Sequence, residues 1–143
     1  MRSPPSALKK SLVAEGFEIY RTSPTWVSLA DRVRDNLLMD AGVAAVEGDV
    51  PGVRVIVRAR AGDFPGETPE TLFDRARALG DELRQKGYRE VAAEAVPVPD
   101  PGDRSRTLDT WYEVSFERAV ADEPELFAEL RYALGVPKTA ERI

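Results

Sequence analysis

The sequence predicts an α+β domain, a two-layer sandwich in which a mainly antiparallel sheet carries helices packed on one face. Three observations lead there. Segments with a helical spacing of apolar residues alternate with segments of period two. The strand-like segments come in neighbouring pairs joined by turn residues, which favours hairpins over crossovers. Each strand-like segment also sorts apolar from charged residues, leaving one side to be covered. At 143 residues and 43% hydrophobic, the chain has the size of one domain with its own core. One domain over 1–143 is expected, with short tails at 1–4 and 138–143.

Residues 5–15 read as a short helix with Leu8, Leu12 and Val13 on one side, Lys9 and Lys10 on the other, and Gly16 to end it. A helix this short must dock to persist. Phe17–Thr22 reads as a strand that Ser23-Pro24 breaks. Thr25-Trp26-Val27 either extends a hairpin or leads into a helix. The pattern Ser28-x-x-Asp31 predicts that helix to start near Ser28, with Leu29, Val33 and Leu37 on one stripe and Gly42 beyond its end. Val43–Val46 and Val53–Ala61 are strand-like and flank the turn residues Gly48–Gly52.

The strongest local signal lies at 68–86. Thr68 is a good N-cap, Pro69 falls at the first helical position, and Leu72, Phe73, Ala76, Leu79, Gly80 and Leu83 form one stripe ending at Gly87. Tyr88–Val98 and Leu108–Ala119 are two further strands joined by a polar, proline-rich loop at 99–107. Asp122-x-x-Glu125 then caps a helix carrying Leu126, Phe127, Leu130 and Leu134, closed by Gly135 and Pro137. On this reading, 28–61 and 68–119 are two loosely similar helix–strand–strand halves.

Composition excludes much chemistry. The chain has no histidine and no cysteine, so serine–histidine and cysteine–histidine nucleophile pairs, ordinary zinc sites and disulfides are ruled out. No cofactor or metal is expected. Charged residues make up 31% of the chain and the net charge is -5, as in a soluble globular protein. No apolar run is long enough for a signal peptide or membrane span, so a cytoplasmic location is expected. Residues 1–60 hold 9 basic and 7 acidic side chains, while 61–143 hold 11 and 18. That acidic second part disfavours general nucleic-acid binding.

The most regular strand, 53–61, points Val53, Val55, Val57, Ala59 and Ala61 one way and Arg54, Ile56, Arg58 and Arg60 the other. The same parity puts Val91, Ala93 and Ala95 opposite Glu90 and Glu94, and Tyr112, Val114 and Phe116 opposite Trp111, Glu113, Ser115 and Glu117. The three arginines either line a site for an anion or acidic peptide, or face Glu90, Glu94, Glu113 and Glu117 in a solvated lattice of ion pairs, which is favoured because the charges match without a missing partner. Trp111 on that charged face either covers arginine stems or anchors a partner. Trp26 is open to the same two readings, with core burial favoured by its place before an apolar helix. Of the carboxylate pairs, Asp100 with Asp103 looks like turn chemistry, and Glu113 with Glu117 is surrounded by arginines that keep it ionised. Asp100, Asp103 and Asp109 fit no calcium-loop spacing, and Gly62–Gly66 reads as a structural turn. Leu37-Leu38-Met39 ends its predicted helix with too many apolar residues for one face, which suits a deep core position or a subunit contact.

The leading expectation is a non-catalytic module that binds another protein or a second copy of itself, using Trp111, Arg54, Arg58, Arg60 and Leu38. The alternative is a small enzyme or ligand-binding domain with a small-molecule pocket between sheet and helices, using Arg58, Tyr112 and Glu113. A third reading, RNA or DNA binding along the arginine strand with Trp111 stacking on a base, is opposed by the neighbouring glutamates.

Overall fold

The computed structural model of the chain describes residues 5–32, 37–48 and 50–141. Its elements run α1 (Pro5–Ala14), β1 (Ile19–Thr22), β2 (Trp26–Arg32), β3 (Leu38–Val46), β4 (Gly52–Arg60), α2 (Pro69–Leu79), α3 (Asp81–Gln85), β5 (Arg89–Asp100), β6 (Asp103–Ala119) and α4 (Glu123–Leu134). The six strands form an antiparallel sheet ordered β1-β2-β3-β4-β6-β5, and with four helices the fold is α+β. Packing divides the chain into two compact units, 1–55 with 117–136 and 56–116 with 137–143.

In the first unit β2 pairs with both β1 and β3, and β3 with the start of β4. Val27 and Leu29 on β2, Val43 and Ala45 on β3 and Val53 and Val55 on β4 are almost wholly buried. They meet Leu8 and Leu12 of α1 and Leu126 and Leu130 of α4, which are buried as well. Each fully buried leucine of this set contributes about 1.5–3 kcal/mol relative to exposure. Phe17 packs on Phe127 with ring centroids 6.0 Å apart, and the Arg131 guanidinium lies 5.0 Å from the Phe17 ring while pairing with Glu15 at 3.0 Å. The α4 cap is as expected: Asp122 accepts from the Glu125 N–H at 3.0 Å, and the Glu125 carboxylate reaches back to the Ala121 N–H at 3.2 Å.

The helix predicted from Ser28 does not form. Trp26–Arg32 and Leu38–Val46 are strands paired with each other, Thr25–Val27 leads into the first of them, and residues 33–36 lie outside the described residues. Leu29 is buried but Leu37 is exposed, so the i, i+8 stripe had no helix behind it. The real pattern is period two, Val27 and Leu29 on one side and Trp26, Ser28 and Ala30 on the other. Ser28 caps nothing; its hydroxyl donates to the Arg21 carbonyl at 3.2 Å. Pairing on both flanks of β2 outweighs a helical propensity that is never large. Trp26 is half-buried opposite Val46 rather than in the core. With this helix gone, the two helix–strand–strand halves are no longer alike. The β2–β3 register shifts between Ser28 and Ala30, and at that irregularity Gly42 takes φ 75° while the Asp40 carboxylate accepts its N–H at 2.9 Å.

In the second unit, α2 starts at the expected cap, where the Thr68 hydroxyl accepts from the Thr71 N–H at 3.2 Å and Pro69 follows. The helix predicted to run to residue 86 breaks at Gly80 into α2 and α3. A Cβ on Gly80 would overlap the Phe116 ring, which is itself fully buried, so the glycine lets the helix pair sit down on β6. Leu72, Ala76 and Leu83 fill the space beside it with Val57, Ala59 and Val114.

Three further expectations change here. The predicted loop at 99–107 is absent: β5 and β6 continue into it and turn at Pro101-Gly102 alone. Pro97 and Pro99 are tolerated because β5 is the outermost strand, paired on one flank only, the place to which strand proline is confined. Residues 89–95 and 101–108 of this ribbon are exposed throughout, so Val91, Ala93 and Ala95 do not face helices. Glu90 does, accepting from Arg77 at 3.0 Å and from Arg84 at 3.3 Å, so the predicted sidedness of β5 is reversed. The tail expected at 138–143 is also partly structured: Thr139 bridges Arg58 in parallel, with the Arg58 N–H donating to the Lys138 carbonyl and the Ala140 N–H to the Arg58 carbonyl, both at 2.8 Å.

Replacing a helical glycine by alanine ordinarily stabilises by about 1 kcal/mol. Gly80→Ala is expected to destabilise by about 1–3 kcal/mol instead, because the methyl must push α2 and α3 off Phe116; a urea midpoint at or above that of the unaltered chain contradicts this packing.

Candidate functional site

The side of the second unit opposite α2 and α3 is built from alternate residues of β4 and β6. Val57, Ala59, Val114 and Phe116 are fully buried, whereas their neighbours Arg58, Arg60, Trp111, Glu113 and Ser115 are only half-buried. Trp111 lies at the centre. The Arg58 guanidinium carbon stands 4.8 Å from its ring centroid and that of Arg60 4.9 Å, distances at which a cation is attracted to the ring face.

The two arginines differ in their partners. Arg58 donates from Nε at 3.0 Å to a Glu113 oxygen, from which its Nη2 stands 2.9 Å away as an ion pair, with both side chains 18% exposed. Its backbone is held on the other flank by residues 138–140. Arg60 makes no ion pair or hydrogen bond among the described residues, and its Nε is buried without an acceptor. Asp109, two residues before Trp111 on the same side of β6, accepts from the Gly62 N–H at 2.9 Å and the Thr110 N–H at 2.7 Å. Its acceptor oxygen is thus committed to the backbone at the strand's end.

Of the residues singled out from sequence, Trp111, Arg58, Arg60 and Glu113 therefore come together. Tyr112 does not join them: it points to the helix side and meets Phe73 edge-on at 5.1 Å, so Arg58, Tyr112 and Glu113 do not converge on one pocket. Arg54 lies in the first unit, paired there with Glu117 at 2.6 Å. Leu38, also in the first unit, opens β3 and lines a shallow groove of about 460 Å³ with Lys9, Val13, Phe17, Tyr20 and Arg21. Val13, Tyr20, Leu37, Leu38 and Met39 are all exposed, so the predicted core alternative for Leu37-Leu38-Met39 does not apply.

Asp100 and Asp103, the other carboxylate pair singled out from sequence, serve structure. Asp100 accepts the Gly102 N–H at 2.8 Å and shapes the ribbon turn. Hydrogen bonds from the Ser105 hydroxyl first and its N–H second hold the Asp103 carboxyl below the ordinary range, the opposite of what a proton donor at neutral pH needs. Glu90 raises the pKa of Arg77 by accepting its hydrogen bonds. Among the described residues no three acidic side chains group as a metal site requires, and no helix is long and apolar enough to cross a membrane.

No protein-family model, curated protein or solved structure matches the chain. Sequence reasoning missed Asp109 as the residue that ties β6 to Gly62, and residues 138–140 as the flank of Arg58. A signal existed for the first, since a short acidic side chain near a glycine turn commonly accepts a backbone N–H. The second rests on a single bridged residue and has no sequence periodicity.

Two measurements follow from these contacts. Glu113→Gln leaves a largely covered Arg58 without its counter-charge and is expected to cost about 1–2 kcal/mol, against less than about 1 kcal/mol for Glu117→Gln, whose ion pair with Arg54 is 29–32% exposed; equal losses would remove the distinction. In an NMR titration Asp103 is expected to take up its proton at lower pH than in Ser105→Ala. A depressed folded-state pKa makes its small stabilising effect complete above the unfolded value and lost as the pH falls through the folded one.

Proposed function

We propose that the chain is a non-catalytic protein-binding module of the cytoplasm, and that its partner docks at Trp111, on the side of the second unit opposite α2 and α3. The observation that carries this reading is a half-buried tryptophan flanked by two arginine side chains where no core exists to be filled. Tryptophan and arginine are the residue types that most often dominate binding energy at protein interfaces. Arg58 is already fixed by Glu113 and by the backbone of 138–140, so little freedom is lost when a partner covers it. The absence of histidine and cysteine and the structural use of Asp100 and Asp103 favour binding over reaction. The absence of cysteine also suits the cytoplasm.

The test compares the unaltered chain with Trp111→Ala, each confirmed folded by circular dichroism. The immobilised unaltered chain is expected to recover a defined protein from an extract of its own cells, with the affinity for that purified protein falling at least about 30-fold in Trp111→Ala, the loss typical of an interface hot spot. Equal affinity for both forms overturns the reading. So does an empty recovery together with a strict monomer by light scattering, since the second copy of the chain would then be excluded as well.

A further inference from the structure

We infer that the partner segment meeting this side is acidic, and that the Arg60 guanidinium takes one of its carboxylates beside the Trp111 ring. This inference rests on the reading of the Trp111 surface as a docking site and names the chemistry of what docks there.

The two arginines on this side are unequally partnered. Arg58 has its counter-charge in Glu113 at 2.9 Å. Arg60 makes no ion pair among the described residues, and Asp109, on the same side of β6, is turned to the backbone, its Oδ1 accepting from the Gly62 and Thr110 N–H groups. Within the second unit Arg60 is thus a cation on this side with no carboxylate in contact among the described residues. Its geometry is restricted, because the Nε is buried and the guanidinium lies against the indole. The Nη1 and Nη2 donors therefore form the edge that remains open to a ligand. Two parallel N–H donors on a planar cation match the two oxygens of a carboxylate. A guanidinium pre-set by stacking loses less freedom on forming those bonds than one free in solvent.

The surroundings select the class of ligand. A nucleic-acid strand brings closely spaced phosphates, and next to the Arg60 guanidinium these would meet the carboxylates of Glu113 and Asp109. A small metabolite requires a concave site that encloses most of its surface, whereas these residues lie on the face of a sheet. An extended acidic peptide places one carboxylate at Arg60 and its own backbone and apolar atoms over the exposed part of Trp111.

The experiment uses the full chain carrying Trp26→Phe, so that Trp111 is its sole tryptophan emitter, titrated with hexaglutamate, hexaglutamine and oligouridylate. Hexaglutamate is expected to change the emission saturably, with the dissociation constant rising at least tenfold in Arg60→Gln and to an intermediate degree in Arg60→Lys, which keeps the charge and loses the planar pair of donors. Hexaglutamine is expected to give no saturable change. If Arg60→Gln does not fold, Arg60→Lys decides. The inference is overturned by the lack of a saturable hexaglutamate response, by unchanged affinity in the Arg60 variants, or by tighter binding of oligouridylate. Should hexaglutamate fail while Trp111→Ala still loses its protein partner, the acidic ligand falls and the docking surface stands. Should hexaglutamate bind while the partner ignores Trp111→Ala, the carboxylate site stands and the docking reading falls.

Discussion

Strict alternation along β4, matched by β6, is the constraint on which the other features depend. Val53, Val55, Val57 and Ala59 are wholly buried, and the residues between them are not. A slip of one residue would turn three arginines inward and three valines outward, and an unpaired guanidinium in the interior costs several kcal/mol. Charge pins the same register from the other side. Arg54 meets Glu117 and Arg58 meets Glu113, so four residues forward in one strand correspond to four residues back in the other. Within each unit the sidedness then decides where helices bind, as with α2 and α3 against Phe116.

The parts of the fold that were legible are those where local signals are redundant. α2 carries an N-cap, a proline at its first position and a long apolar stripe, and α4 carries a cap and a stripe. β4 alternates without exception. Misreadings arose where one short pattern stood alone. Ser28-x-x-Asp31 has the form of a helix cap, yet nothing local reveals that β1 and β3 lie on either flank of β2 and supply its hydrogen bonds. The break at Gly80 is invisible for a related reason, since the ring that demands it comes from Phe116, far along the chain.

The candidate site was legible as a set of residues but not as a hierarchy. Parity alone placed Arg58, Arg60, Trp111 and Glu113 on one side, and it correctly paired two of the β4 arginines with glutamates of β6. It put Glu90 and Glu94 on that side as well, whereas Glu90 serves the helices through Arg77 and Arg84. The lattice of ion pairs is therefore real but incomplete, and Arg60 stands where it ends. Side-chain pairing of this kind depends on strand register and on which neighbour arrives first, neither of which a residue's own sequence surroundings contain.

Residues 89–95 of β5 and 101–108 of β6 are exposed and β5 ends the sheet, the arrangement by which one molecule's strand most readily recruits another's. Pro97 and Pro99 occupy alternate places on its outer margin, and a strand arriving there from a neighbouring molecule finds successive rungs missing. This stretch of the border thus offers a neighbour fewer hydrogen bonds than an edge strand free of proline would, without any covering helix.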